Sequence, residues 1–298
     1  MKSIKTNFSI KDFENISGIK AHTIRIWEKR YTIFSPNRLE SNYRTYGEDD
    51  LKKLLNITLL YNNGYKISKI AKLSDKDFEL EVQKNIDELD FKTKGLESFK
   101  LSMFTFDHYL FNKTYYELME LSSFVDVFHN VFIPLLEVVG LLWQQGTAKV
   151  VHEHFISNLV RQKICLNIDN LKAVKEPKGS AIYALFLPLN EIHELGLLYV
   201  NYELLLREEK TIYLGQSVPA EDLEVLTETY DDVHYISYFT INIEEINYED
   251  YLMKLGKALN PNNKLSIVSP HLELKEITAK KFPNVNVFKG LSDLLTSI

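Results

Sequence analysis

Residues 181–215 read AIYALFLPLNEIHELGLLYVNYELLLREEKTIYLG, a strand, a helix and a second strand in quick succession. AIYALFLP is an apolar run of strand length and predicts a strand buried on both faces. LGLLYVNYELLLREEK has the length of a helix, and TIYLG returns to strand character. Two parallel strands joined through a helix make one crossover unit, and repetition of that unit builds a doubly wound sheet. The repetition runs to the end of the chain. It predicts a helix over 220–229, the strand HYISYFTI, a helix over 248–259, the strand KLSIVS, a helix over 273–281, the strand VNVFKG and a short terminal helix. Residues 178–298 are therefore expected to form a Rossmann-like α/β domain with its ligand beyond the carboxyl ends of the strands, at the switch point.

Upstream of the polar linker LKAVKEPKG the pattern changes. Residues 76–172 contain no convincing strand and few glycines or prolines, and segments 76–89, 95–107, 111–121, 124–142 and 148–168 predict a compact helical bundle. Within it, PLLEVVGLLWQQGTAKVVHEHFISNLVRQKI predicts a helix ending at Trp143 and a QQG turn. A second helix follows, capped by Thr147 and bearing Val150, Val151 and His154. Trp143 is expected at the mouth of the bundle.

Residues 1–75 predict a winged helix-turn-helix. Phe8, Ile10, Phe13 and Ile16 lie near helical spacing, and Gly18 permits a sharp turn. A second helix from about Ala21 to Lys29 turns Ile24 and Trp27 inward and leaves Thr23, Arg25 and Lys29 outward, the arrangement that offers polar side chains to a major groove. NRLESNYRTYGEDDLKKL follows as a small hairpin with turn residues at Asn37 and Ser41-Asn42. Its Arg38, Arg44 and Tyr46 can grip phosphate or enter a groove, and Glu48-Asp49-Asp50 starts the next helix. LLNITLLYNNGYKISKIAKLS closes the segment with a helix, a Gly64 stop and a short helix.

Charge distribution agrees with this division. The chain of 298 residues has a net charge of −6, yet residues 1–75 hold 14 Lys/Arg against 8 Asp/Glu, and the remainder 21 against 33. A basic head on an acidic body suits a localised phosphate-binding surface. Apolar residues at 45% and charged residues at 26% fit a soluble globular protein. No apolar run approaches the roughly 18 residues that span a bilayer, so no membrane partner is expected. MKSIKTNFSI lacks a secretory signal, and Cys165 alone excludes an internal disulfide or a cysteine-rich zinc site. The expected location is the cytoplasm.

HTIRIWEKRY, NYRTYGEDDL and NNGYKISKIAKL together resemble the DNA-binding domain of MerR-family regulators. The resemblance implies binding to double-stranded promoter DNA as a homo-oligomer, with contacts at Thr23, Arg25, Arg30, Tyr31, Arg44 and Tyr46. Sustained heptads for a long dimerising coiled coil are absent, as are the ligand cysteines of metal-sensing relatives.

Trp143, nine residues, then Glu153-His154 resembles the W-x9-EH motif of cobalamin-dependent light-sensing repressors of the CarH/LitR type. That resemblance implies that Trp143 covers the upper face of adenosylcobalamin, Glu153 contacts the adenosyl group, and His154 ligates cobalt after light removes it. Glu191-x-His193-x-x-Gly196 resembles the (D/E)-x-H-x-x-G signature of cobalamin-binding domains. It implies His193 as lower axial cobalt ligand in place of the cofactor's own base, with Glu191 holding the other ring nitrogen and Gly196 allowing close approach. LGQSVPAEDL, with Ser217 and Val218, follows the same pattern. Two features depart from it. Ser269-Pro270-His271 stands where that family has Gly-Gly against the nucleotide tail, and the small hydroxyl after the third strand is either Ser237 or Thr240.

The function implied is a repressor, dimeric or tetrameric, whose promoter binding answers to adenosylcobalamin and light. The alternative keeps DNA binding but uses residues 178–298 only for oligomerisation or protein partners. A corrinoid carrier for methyl transfer would not need the N-terminal segment. No hydrolytic triad, P-loop or dinucleotide fingerprint appears, so the chain is not expected to be an enzyme.

Overall fold

The computed structural model describes residues 7–38, 44–172, 177–178, 181–239, 248–259, 263–270 and 282–298. It divides into two compact units, Met1–Leu159 and Val160–Ile298. The expected turn at Ser41-Asn42, the helix over 273–281, Thr240 and His271 lie outside the described residues.

In the first unit α1 (Ile10–Ser17) opens with a reciprocal capping box. The Ser9 hydroxyl accepts from the Asp12 amide at 3.1 Å, and the Asp12 carboxylate accepts from the Ser9 amide at 2.7 Å. Gly18, at φ +74°, ends it in the left-handed conformation that a glycine adopts without strain. Ile24 and Trp27 of α2 (Ala21–Tyr31) turn inward as expected. A short antiparallel wing, β1 (Asn37–Arg38) with β2 (Arg44–Thr45), is held to the head by a bridge between Phe8 and Tyr46. Helix α3 (Glu48–Asn62) begins on its three acidic residues, and α4 (Ile67–Ile70) follows.

The bundle comprises α5 (Asp75–Glu88), α6 (Phe91–Thr105), α7 (His108–Leu121), α8 (Phe124–Gln144) and the first part of α9 (Val150–Lys172), which continues into the second unit. Asp90, Asp107 and Ser123 cap α6, α7 and α8 by accepting from backbone amides in their first turns. Phe99, Phe111, Tyr115 and Phe132 stack in the core.

Helix α8 is predominantly apolar. Its strictly apolar runs are broken by Asp126, His129, Asn130 and Glu137, but the whole is one helix of 21 residues, long and apolar enough to cross a bilayer. Phe124, Val127, Phe128, Val131, Phe132, Leu135, Val139 and Leu142 are buried within the unit, so this apolar content builds the bundle core. A π-helical stretch, Phe128–Phe132, brings Val131 against α6 at Gly95, where an added Cβ would lie 2.6 Å from Val131 Cγ1 and 3.0 Å from Leu118 Cδ1. Gly95→Ala is therefore expected to lower stability by about 1–3 kcal/mol in urea unfolding, despite alanine's better helix propensity. An unchanged or raised midpoint would show that Val131 gives way.

The second unit is a five-stranded parallel sheet in the order β4 (Lys210–Val218), β3 (Ile182–Pro188), β5 (Val233–Tyr238), β6 (Lys264–Val268), β7 (Val285–Phe288). The expected Rossmann-like topology is thus observed, with the direction of winding reversing at β3. Side chains of β3 alternate between two cores. Leu185 and Leu187 pack with Leu197, Val200 and Leu204 of α10 (Leu195–Leu206), while Ala184 and Phe186 pack with Leu252 and Leu255 of α12 (Tyr248–Ala258). The expected helix over 220–229 is a 3-10 turn, Glu221–Leu223, continued by α11 (Glu224–Thr229), and α13 (Leu291–Ser297) ends the chain. Strand β4 runs through Gly215-Gln216-Ser217-Val218, beyond the expected TIYLG, by means of register shifts opposite Leu185 and Phe186.

His234 of β5 stacks near Tyr183 and shares a 2.9 Å hydrogen bond with the Ser266 hydroxyl. Burial, with Lys264 nearby, pushes its pKa down to about 4. The unfolded chain therefore takes up this proton first, near the ordinary value of about 6.5. Stability is full above that pH and falls as pH drops towards 4, by up to about 3 kcal/mol. His234→Gln is expected to flatten that part of the profile in urea unfolding between pH 7.5 and 4.5. Equal slopes for both proteins would overturn the assignment.

Candidate functional site

The outer face of α2 presents Arg25, Lys29 and Arg30 to solvent, with Thr23 and Tyr31 half-buried and the Arg30 guanidinium 6.0 Å from the Tyr31 ring centre. Arg44, on the wing, is half-buried and donates from Nε to Glu28 at 3.0 Å. Tyr46 departs from the expectation that it contacts DNA. Its ring is 0% exposed, stacked on Phe13 at 4.3 Å, and its hydroxyl donates to the other Glu28 oxygen at 2.9 Å. Burial beside this carboxylate pushes its pKa well above the usual phenol range. Tyr46 holds the wing and does not reach out of it. Glu28, which ties α2 to the wing, escaped sequence reasoning because only folding shows that its partners lie 16 and 18 residues away.

Elsewhere in the first unit, Trp143 is 53% exposed, and Leu141, Val150 and Val151 are exposed with it. Glu153 and His154 form a carboxylate–imidazole pair, Oε2 to Nδ1 2.5 Å, and Ser157 donates to the other Glu153 oxygen. The expected Thr147 cap does not form. The Thr147 hydroxyl accepts instead from Asn15 Nδ2 at 2.8 Å, and His152 Nδ1 accepts from the Lys149 amide at 3.0 Å. His152 is buried against Phe104 and Phe106, and its pKa is lowered by that burial.

In the second unit the loop from Leu189 to Glu194 lies at the carboxyl end of β3. Glu191 is 1% exposed, and one of its oxygens accepts from the amides of Ile192 and His193, both at 2.9 Å. The same oxygen lies 2.7 Å from His193 Nδ1. A carboxylate can only accept, so the ring donates from Nδ1, and the neutral ring carries its lone pair on Nε2. The His193 side chain is 60% exposed. Two contacts from β4 brace this loop: Ser217 Oγ accepts from the Asn190 amide at 3.1 Å, and Gln216 Nε2 donates to the Ile192 carbonyl at 2.9 Å. Asn190 and Ser217 are both left-handed, at φ +70° and +56°, the kind of strained backbone that concentrates at functional loops. Val218 packs on the β5–α12 core.

Glu194 was not foreseen as a structural residue. Nearly buried at the start of α10, it accepts from Arg161 Nε of α9 and from the Tyr213 hydroxyl at 2.8 Å. Gly196 fits its position because an added Cβ would lie 2.8 Å from Cε1 of Tyr238. The space next to Gly196 is thus filled by the chain's own aromatic ring. Ser237 is fully buried, and Ser269 nearly so.

These arrangements suit two tasks. The head offers a helix with outward cations, Arg25, Lys29 and Arg30, tied to a wing through Glu28. The strand edge offers an imidazole oriented by a buried carboxylate, an arrangement suited to donating a nitrogen lone pair to a metal ion. Residues 8–77 match the MerR HTH family regulatory protein family, and residues 96–165 match the B12 binding domain family. The chain is 30% identical over 253 residues to the HTH-type transcriptional repressor CarH of Myxococcus xanthus, covering 82% of each chain. It is 26% identical over 220 residues to the repressor CarA of the same organism, covering 72% of this chain and 70% of the relative. In fold it resembles the monomethylamine corrinoid protein of Methanosarcina barkeri, with a TM-score of 0.53 at 12% identity over 63% of this chain and 88% of that one. The chain belongs to the MerR-family transcriptional regulators that carry a cobalamin-binding module, the family of the CarH-type repressors.

Proposed function

We propose that this regulator represses from promoter DNA as a dimer or tetramer in the cytoplasm, under the control of adenosylcobalamin or a corrinoid of its class, and of light. The observation that carries this reading is the buried Glu191 carboxylate orienting His193 at the switch-point edge, in a chain whose head is a DNA-binding domain. An adenosylated cobalt supplies a bond to carbon that light breaks. His193 would hold the lower side of that group. Trp143 and the Glu153–His154 pair would meet the upper side, with His154, oriented through Nδ1 by Glu153, as the cobalt ligand once the adenosyl group has left. Thr23, Arg25, Arg30, Tyr31 and Arg44 would contact DNA, and Tyr46 would act through Glu28. Two linked dimers on neighbouring sites raise avidity without any new contact.

The test is a visible absorption spectrum of the purified chain with adenosylcobalamin, in the dark and after illumination. Size-exclusion chromatography and gel shifts on its own upstream DNA accompany it. A bound spectrum, a larger assembly in the dark and release of DNA in light are expected. Dark and light samples that behave alike would overturn the light control.

A second reading, DNA binding with a cofactor-free oligomerisation module, is favoured by the ring of Tyr238 against Gly196 and by the buried Ser269. Gel shifts indifferent to every corrinoid would establish it.

A further inference from the structure

We infer that the second unit selects an incomplete corrinoid of the cobinamide class, with the corrin ring and a short hydroxyl-ended arm but no nucleotide base, and that Tyr238 is the residue that sets this choice. The inference rests on the proposed corrinoid reading and narrows it.

When a protein imidazole takes the lower axial position, the base that a complete cobalamin carries is displaced and has to be housed on that same side of the ring. On this protein that side is the carboxyl edge of β3, β5 and β6, where the His193 loop begins. The described residues of that edge leave little room. Ser237 and Phe239 are 0% exposed, and Tyr238, Val268 and Ser269 are nearly so. The Tyr238 ring lies against the first turn of α10 so closely that Gly196 could not carry even a methyl group without displacing it. Backbone bonds fix the edge further: the Phe239 amide donates to the Val268 carbonyl and the Ser269 amide to the Phe288 carbonyl, both at 2.9 Å. Opening a channel here means moving aromatic side chains out of a packed core, with strand ends tied on both sides.

The polar demand at this edge is small. Ser237 Oγ and the Tyr238 hydroxyl are buried without a hydrogen-bond partner among the described residues. Burial also pushes the Tyr238 pKa well above the usual phenol range, so it stays a neutral donor. A short arm ending in one hydroxyl can satisfy such atoms. A bicyclic aromatic base with its ribose and phosphate needs a cavity, and beside Gly196 the Tyr238 ring fills the space.

Visible titrations of the full chain with aquacobinamide and with hydroxocobalamin test this. Aquacobinamide is expected to bind at least tenfold more tightly, with a spectral shift that His193→Ala removes. Tyr238→Gly should strengthen hydroxocobalamin binding at least tenfold and so remove the preference for cobinamide. Tyr238→Phe keeps the ring and should stay cobinamide-selective, and circular dichroism checks that each variant folds. Hydroxocobalamin binding to the unaltered chain as tightly as cobinamide would overturn the inference while sustaining the corrinoid reading. Binding of neither, with or without Tyr238→Gly, would overturn both.

Discussion

His193→Ala is expected to reduce corrinoid affinity on the order of 100-fold or more, and to abolish the absorption change that accompanies imidazole coordination. The ring is the half of the site that presents a lone pair, and its orientation is set by a carboxylate that is almost wholly enclosed. Glu191→Ala should therefore be milder but still large, about 10- to 100-fold, because an unrestrained ring samples other tautomers and rotamers. Glu191→Gln separates charge from geometry. Its amide oxygen can still accept from the Ile192 and His193 amides, so the loop keeps its shape while the ring loses its anionic partner. Equilibrium titration followed by visible absorption measures all three. Unchanged affinity in His193→Ala would remove the axial assignment. A loss below about threefold in Glu191→Ala would show that the loop backbone alone holds the ring.

The second large effect is expected at Glu28. Its carboxylate is shared between the Arg44 guanidinium and the Tyr46 hydroxyl, and so bolts the exposed helix of the head to the wing. In Glu28→Ala the Tyr46 hydroxyl stays buried with no acceptor, at a cost of about 2 kcal/mol. The Arg44 pair adds little, since that side chain is more than one third exposed and solvent screens it. The larger loss is expected in DNA affinity, by tenfold or more, because helix and wing no longer keep a fixed spacing while gripping the duplex. Tyr46→Phe removes only the hydroxyl and should weaken DNA binding by less than threefold. Fluorescence anisotropy on duplex DNA at fixed salt, beside urea unfolding of the same proteins, separates the two effects. A Glu28→Ala protein that is less stable but binds DNA normally would show that the wing keeps its place without the bolt.

Much of the architecture is legible in one dimension. The strand–helix alternation after residue 181 dictates a parallel sheet, since apolar strands separated by helices can be covered on both faces in few other ways. In the head, Gly18 and the inward pair Ile24 and Trp27 specify two helices and a turn. E-x-H-x-x-G predicts that Glu191 meets His193, a contact spanning two residues on one loop. Local spacing carries such contacts because the chain cannot avoid them.

The remaining contacts depend on segments far apart in the chain. Thr147 reads as a helix cap, yet its hydroxyl is taken by Asn15, 132 residues away. Helix α8 reads as broken apolar runs, and only continuous helical geometry gathers its apolar residues into one core-facing stripe. Tyr46 reads as a DNA contact, and stacking on Phe13 turns it inward. The ring beside Gly196 belongs to Tyr238, on a different strand. Sequence by itself therefore determined the head, the bundle, the sheet and the Glu191–His193 pair, because helical and strand periods and short loops are local properties. Tertiary structure alone decided how much space stands behind that pair, since the volume left at a strand edge depends on side chains that meet only when the sheet closes.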